Sequence, residues 1–183
     1  WSIAPELEGA LEMGNYLQSK GVIPSIAHTD AVYDDVVNAL QHGYSLVTHL
    51  YSSMNGVIKR GAYRFAGTVE SAFLIDDLDV EIIADGKHLP VPLLQLIVKI
   101  KGAGRIALIT DAMRAADLNV TESVLGKTGS GLPVIIEDEV AKLPDRSSFA
   151  GSIATADRLV RVMWRDAGIN LTDVIKMMCT TPA

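Results

Sequence analysis

Short apolar runs alternate with amphipathic segments along most of this chain, and nearly every run stops on a titratable residue. Residues 22–27 end at His28, residues 44–48 at His49, residues 80–84 at Asp85-Gly86, and residues 105–110 at Asp111. Each run is apolar on both faces, as a strand buried inside a parallel sheet must be. Residues 8–20, 31–42, 67–75 and 91–101 lie between and beside them with helical periodicity. Lys20-Gly21, His42-Gly43 and Lys101-Gly102 read as helix ends followed by a left-handed glycine. Asp30 is placed to cap the second helix. Strand and helix in strict alternation predict right-handed βαβ units and an α/β fold.

Composition narrows the classes. The sequence has 183 residues, 49% hydrophobic and 21% charged, with a net charge of −6. That supports one domain with a core and excludes a disordered segment. Cys179 is the only cysteine, which excludes a disulfide scaffold and suits a reducing cytosol. No apolar run approaches the roughly 18 residues of a membrane span, and no secretion leader is visible. Without a Lys/Arg cluster, an acidic chain is not expected to bind nucleic acid.

The second half reads differently. Residues 121–142 are Gly-rich and then carry two apolar runs, 132–136 and 139–143, around Glu137-Asp138. They predict a β-hairpin excursion over about 120–145 within the single domain. Residues 153–167 and 171–179 read as two helices, the second capped by Thr172.

The chemistry-bearing residues share a phase. His28 and His49 are 21 residues apart, His88 and Asp111 are 23 apart, and each follows an apolar run. In a parallel barrel or sheet the C-terminal strand ends open onto one face, so these four are expected to converge. A single histidine after a strand is ordinarily a hydrogen-bonded structural residue; four polar groups in phase point to a shared site. Two imidazoles suit zinc or iron, and a carboxylate near metal-bound water could accept its proton. His42 lacks the phase and reads as a helix-end residue. Glu6 has it, 22 residues before His28, which makes it a candidate third ligand by spacing.

Other signals carry less. Gly126-Lys127-Thr128 mimics the end of a phosphate-binding loop, but Thr121 stands where the first glycine is required. Asn119-Val120-Thr121 and Asn170-Leu171-Thr172 match the glycosylation triplet only by chance. Met113, Met163, Met177 and Met178 read as core filler and Trp164 as packing. Arg158, Arg161 and Arg165 recur as a solvated helix face.

Several motifs then follow one another in a recognisable order. They are Ala4-Pro5-Glu6, Ala27-His28-Thr29-Asp30-Ala31, Thr48-His49-Leu50-Tyr51, Ala84-Asp85-Gly86-Lys87-His88, Thr110-Asp111-Ala112-Met113, Ala150-Gly151-Ser152 and Thr181-Pro182-Ala183. Together the chain resembles the N-acetylglucosamine-6-phosphate deacetylases. The resemblance implies a metal-dependent amidohydrolase on a (β/α)8 TIM-type barrel, incomplete in this chain. The first strands, an upstream metal-binding glutamate and a small flanking β-domain would lie outside it.

By that resemblance His28 and His49 bind metal, one or two ions of zinc or iron, and Asp111 is the catalytic aspartate. His88 binds substrate near the scissile amide, stabilising the oxyanion or orienting the sugar. Arg60 binds the sugar phosphate, in relatives often across a homodimer. Glu6 becomes a site-lining or structural carboxylate, since the family's metal glutamate lies on an earlier strand. Ser52 and Ser53 occupy substrate-contacting positions that usually read Asn-Ala, and Arg60-Gly61-Ala62-Tyr63-Arg64 stands where Arg-Glu-Pro-Gly is usual. Both departures fall where the sugar phosphate would be read. The expected activity is hydrolysis of the N-acetyl group of N-acetylglucosamine 6-phosphate in the cytoplasm. The alternatives are an amidohydrolase of another N-acyl or cyclic amide substrate, and a non-catalytic relative. Residues 1–183 alone are expected to be inactive, because a partial barrel leaves strand edges open.

Overall fold

The computed structural model describes residues 1–183, which divide into two compact units. The first comprises residues 1–82 and 97–107 and is built on an open parallel sheet. Its elements are β1 (Ser2–Ile3), α1 (Ala10–Ser19), β2 (Ser25–Ile26), α2 (Tyr33–Gln41), β3 (Leu46–Val47), β4 (Ile58–Arg60), β5 (Tyr63–Phe65), α3 (Thr68–Leu74) and β6 (Asp79–Ile83). After α4 (Val91–Lys101), β7 (Ile106–Ile109) completes the sheet in the order β1-β2-β3-β6-β7. The fold is therefore α/β with a parallel sheet, as the alternation predicts. The sheet does not close on itself, and β1 and β7 are its edges.

The ladders are shorter than the apolar runs. β2 pairs with β1 and with β3 only through Ser25 and Ile26, while Val22 and Ile23 are exposed ahead of it. Burial follows the ladder: Ile26, Val47, Val80, Ile82 and Ile106 are fully buried. Tyr44, also fully buried, keeps its hydroxyl satisfied by donating to the Ala10 carbonyl at the start of α1. Gly21, Gly43 and Gly102 all take left-handed φ values, as the helix-end motifs require.

Two caps differ from expectation. Asp30 does not cap α2; its carboxylate accepts from Asn55 Nδ2 at 3.0 Å, and Asp35 instead accepts the Val32 backbone N–H. Asn170, not Thr172, caps the final helix, accepting from the Thr172 N–H at 2.9 Å. The β4–β5 hairpin was not predicted. All of it but the half-buried Ile58 is exposed, so no apolar pattern announces it.

Gly67 fixes the entry to α3. A Cβ there would lie 2.3 Å from the carbonyl oxygens of both Asn55 and Gly56. Backbone on two sides leaves nothing flexible to yield. Gly67→Ala is expected to destabilise the fold by about 3 kcal/mol or more in chemical denaturation, and an unchanged midpoint would refute this packing.

The second unit, residues 83–96 and 108–183, carries an antiparallel sheet. It is made of β8 (Glu122–Leu125), β9 (Leu132–Glu137) and β10 (Val140–Lys142), with β9 central. Val134 and Ala141 pack with Met113, Ala115 and Ala150. The chain then forms α5 (Ala156–Arg161) and α6 (Leu171–Ile175). Each runs into a wider turn, in which Ala167 N–H reaches Val162 O and Thr181 N–H reaches Lys176 O, five residues back. Met113, Met163 and Met177 are buried, whereas Trp164 is 43% exposed under the Arg165 guanidinium, contrary to its reading as packing. Arg158 is not part of a solvated face either: it donates to the Asp85 and Glu139 carbonyls and lies close to the Glu139 carboxylate.

Candidate active site

The strand ends place the polar residues at one repeated offset. His28, His49, Asp85 and Asp111 each stand two residues beyond the last ladder residue of β2, β3, β6 and β7. Three of them share a second property. His28 has φ 48°, His49 33° and Asp111 46°, in the left-handed region that side chains normally avoid. Tyr51 and Ser53 do the same at 78° and 49°. Such strain persists where surrounding structure enforces it, and it gathers at functional sites.

In the first unit, the chain after β3 folds back on the chain after β2. The Thr29 N–H donates to the Ser53 carbonyl at 3.0 Å, and Thr29 and Met54 form an isolated parallel bridge. His28, Thr29, Asp30, Ser53, Met54 and Asn55 consequently line one depression. Glu6 ties the same loop down, accepting from the Thr29 hydroxyl and the Asp30 N–H, and so serves as a structural carboxylate. The His28 and His49 Nε2 atoms face each other at 3.0 Å, with the rings 77° apart. Two imidazole nitrogens converging in this way fit a pair of ligands to one divalent ion of the zinc or iron kind. No group of three His, Cys, Asp or Glu side chains forms around them. Ser52 continues the turn, its N–H donating to the His49 carbonyl.

Arg60 lies at the end of β4, its guanidinium 5.2 Å from the Phe65 ring centre. Lys59 pairs directly across the hairpin with Arg64. The hairpin thus gathers three exposed cations without a carboxylate, on a chain with net charge −6. Like charges directly opposite on a two-stranded ribbon are unfavourable unless an anion relieves them.

In the second unit, Asp111 is exposed and its carboxylate makes neither a hydrogen bond nor an ion pair. Its backbone is held firmly: the Ser152 N–H donates to the Asp111 carbonyl at 3.0 Å, and the Met113 N–H donates to the Ser152 carbonyl at 2.8 Å. Gly151 permits this bridge, having φ 89° and lying where a Cβ would crowd Met113 at 3.3 Å. Ala150-Gly151-Ser152 is therefore a clamp on the Asp111 loop.

His88 is held by Asp85, whose carboxylate is 1% exposed. One oxygen accepts the Lys87 and His88 backbone N–H groups, both at 2.8 Å. The other meets His88 Nδ1 at 2.8 Å and accepts from Ser152 Oγ at 3.4 Å. Burial pushes the Asp85 carboxyl up, but the His88 hydrogen bond and the two amide bonds outweigh it and hold the group below its ordinary value. Its contribution to stability is present above the ordinary aspartate pKa and is lost as pH falls through the depressed one. Sequence reasoning missed this role for Asp85, although the offset from β6 marked it as plainly as it marked His28.

Comparisons with known proteins agree with the motif order. No family model matches the chain. It is 35% identical over 176 residues to an N-acetylglucosamine-6-phosphate deacetylase of Lysinibacillus sphaericus, covering 96% of this chain and 43% of that protein. It is 29% identical over 170 residues to an N-acetylgalactosamine-6-phosphate deacetylase of Shewanella, covering 91% of this chain and 40% of that one. Among solved structures, a point variant of the Mycobacterium smegmatis N-acetyl-D-glucosamine-6-phosphate deacetylase, in complex with N-acetyl-D-glucosamine-6-phosphate, superposes with a TM-score of 0.89 at 29% identity. That match covers all of this chain and 47% of the other. The chain spans less than half the length of the relatives it matches. In sequence and in fold it is similar, along its whole length, to part of the N-acetylglucosamine-6-phosphate deacetylases.

Proposed function

We propose that the protein to which this chain belongs hydrolyses the N-acetyl group of N-acetylglucosamine 6-phosphate, yielding acetate and the free amino sugar phosphate. The observation that carries the reading is the facing pair of Nε2 atoms on His28 and His49, 3.0 Å apart, in a chain whose relatives are named for this reaction. The rest of the architecture would be a (β/α)8 barrel in a cytoplasmic homodimer. No helix of the chain is long and apolar enough to cross a membrane.

In this reading His28 and His49 hold the divalent metal, zinc or iron, with a carboxylate from elsewhere in the protein. When bound, such an ion acidifies water and polarises a carbonyl. Asp111, with no partner for its carboxylate, accepts the proton of the attacking water and returns it to the departing nitrogen. His88 meets the substrate through Nε2, because Nδ1 is engaged by Asp85. Ser52 and Ser53 contact the sugar. Arg60 supplies a planar fork for the phosphate, reaching the neighbouring subunit's site, and the Lys59 and Arg64 charges add to the field there.

The test compares acetate release from N-acetylglucosamine 6-phosphate, N-acetylgalactosamine 6-phosphate and unphosphorylated N-acetylglucosamine, using the full protein loaded with zinc or ferrous iron. The phosphorylated glucosamine derivative is expected to be preferred over the free sugar by about 30-fold in kcat/KM, the worth of charge-assisted bonds to phosphate. Equal rates would remove the phosphate site. A preference for the galactosamine derivative would move the substrate to the epimer. No release from any of the three would sink the deacetylase reading.

A further inference from the structure

Asp85 is the most buried carboxylate of the chain to face a histidine, and its surroundings determine where the proton on that histidine sits. Both its oxygens act as acceptors: one takes two backbone N–H groups, and the other faces His88 Nδ1 and the Ser152 hydroxyl. A carboxylate that stays ionised has no proton to give, so the hydrogen in the Asp85–His88 bond belongs to Nδ1. The remaining nitrogen, Nε2, has no hydrogen-bond partner in the chain. The ring also rests against Phe149 at a centroid distance of 4.9 Å, so two contacts fix its plane as well as its edge.

We propose that Asp85 is a positioning residue that holds neutral His88 in the Nδ1–H tautomer, so that His88 presents a lone pair at Nε2 and takes a hydrogen-bond donor of the substrate. The donor is a sugar hydroxyl or the amide N–H, not a carbonyl oxygen. Ser152 extends the arrangement. The residue whose hydroxyl donates to Asp85 also holds the Asp111 carbonyl and the Met113 N–H through its backbone, so the orientations of His88 and of the Asp111 loop depend on one serine. The substrate role of His88 rests on the deacetylase reading; its tautomer does not.

Asp85→Asn separates the two. The amide keeps the shape, and its oxygen stays with the two backbone N–H groups. Its NH2 then faces Nδ1, where a proton can no longer be accommodated, and the ring must carry its hydrogen on Nε2 instead. Nitrogen-15 spectra of histidine-labelled full protein above neutral pH, with His88 assigned through His88→Gln, read this directly. The native protein is expected to show a protonated Nδ1 and an unprotonated Nε2, and Asp85→Asn the reverse. Acetate release should fall about 100-fold in the variant, as expected for a misdirected contact group.

A native His88 protonated on Nε2 would overturn the proposal, as would a variant with the native tautomer. An inverted tautomer with native kinetics would overturn the positioning role. If Asp85→Asn fails to fold, the native spectrum decides alone. Should the tautomer invert while the native protein releases no acetate, the Asp85–His88 pairing is upheld and the deacetylase reading falls.

Discussion

Asp111→Asn is expected to lower acetate release by about three orders of magnitude while metal content and folding stay unchanged. The magnitude is that of losing a positioned general acid–base. Asparagine is the appropriate replacement for a structural reason. Asp111 sits at φ 46°, where asparagine is among the few residues at home and alanine costs about 1–2 kcal/mol. Alanine would mix backbone strain with lost chemistry. The clamp by Ser152 uses only backbone atoms, the Asp111 carbonyl and the Met113 N–H, so the loop keeps its hydrogen bonds in the variant. Elemental analysis beside steady-state kinetics distinguishes the outcomes. Metal lost along with activity would make Asp111 a ligand; activity retained would deny it the proton-transfer role altogether.

The sequence made the sheet legible because buried parallel strands need apolar residues on both faces, and such runs stand out. It overstated their lengths, because hydrophobicity does not distinguish Ile26, locked in a ladder, from Val22 and Ile23, exposed before it. Helix ends were legible where a glycine had to turn left, as at Gly43, which has φ 91°. Caps were less so. Asp30 has the chemistry of a cap, yet Asn55, 25 residues away, takes its carboxylate, and no local pattern reveals that. The β4–β5 hairpin stayed hidden because pairing and charge, not a core, define it.

The site divides along the same line. One histidine after a strand is ordinarily structural, but histidines in phase with the repeat draw attention, and His28 and His49 stand at the ends of β2 and β3. Asp85 shares that phase, but a carboxylate followed by Gly-Lys-His reads as a turn until its hydrogen bonds are seen. The left-handed backbone at His28, His49 and Asp111 has no signature in composition at all. Nor does the offset alone produce it, since Asp85 stands two residues beyond β6 without a left-handed φ.

That strain makes the metal assignment testable by a pair of variants. His28→Ala and His28→Gly both remove an imidazole from the pair whose Nε2 atoms lie 3.0 Å apart, and both are expected to lose stoichiometric zinc or iron. They should differ in stability. His28 is exposed, so neither change leaves a cavity, but alanine must hold φ 48° against its Cβ while glycine need not. In the metal-free proteins the glycine variant is therefore expected to be more stable than the alanine variant by about 1 kcal/mol in denaturant. Equal stability would mean that the backbone at His28 relaxes once the imidazole is gone. Strain would then be held by the His28–His49 contact, not by the strand end. Metal retained at full occupancy in both variants would remove His28 from the ligand set, and with it the observation on which the proposed hydrolase chemistry rests.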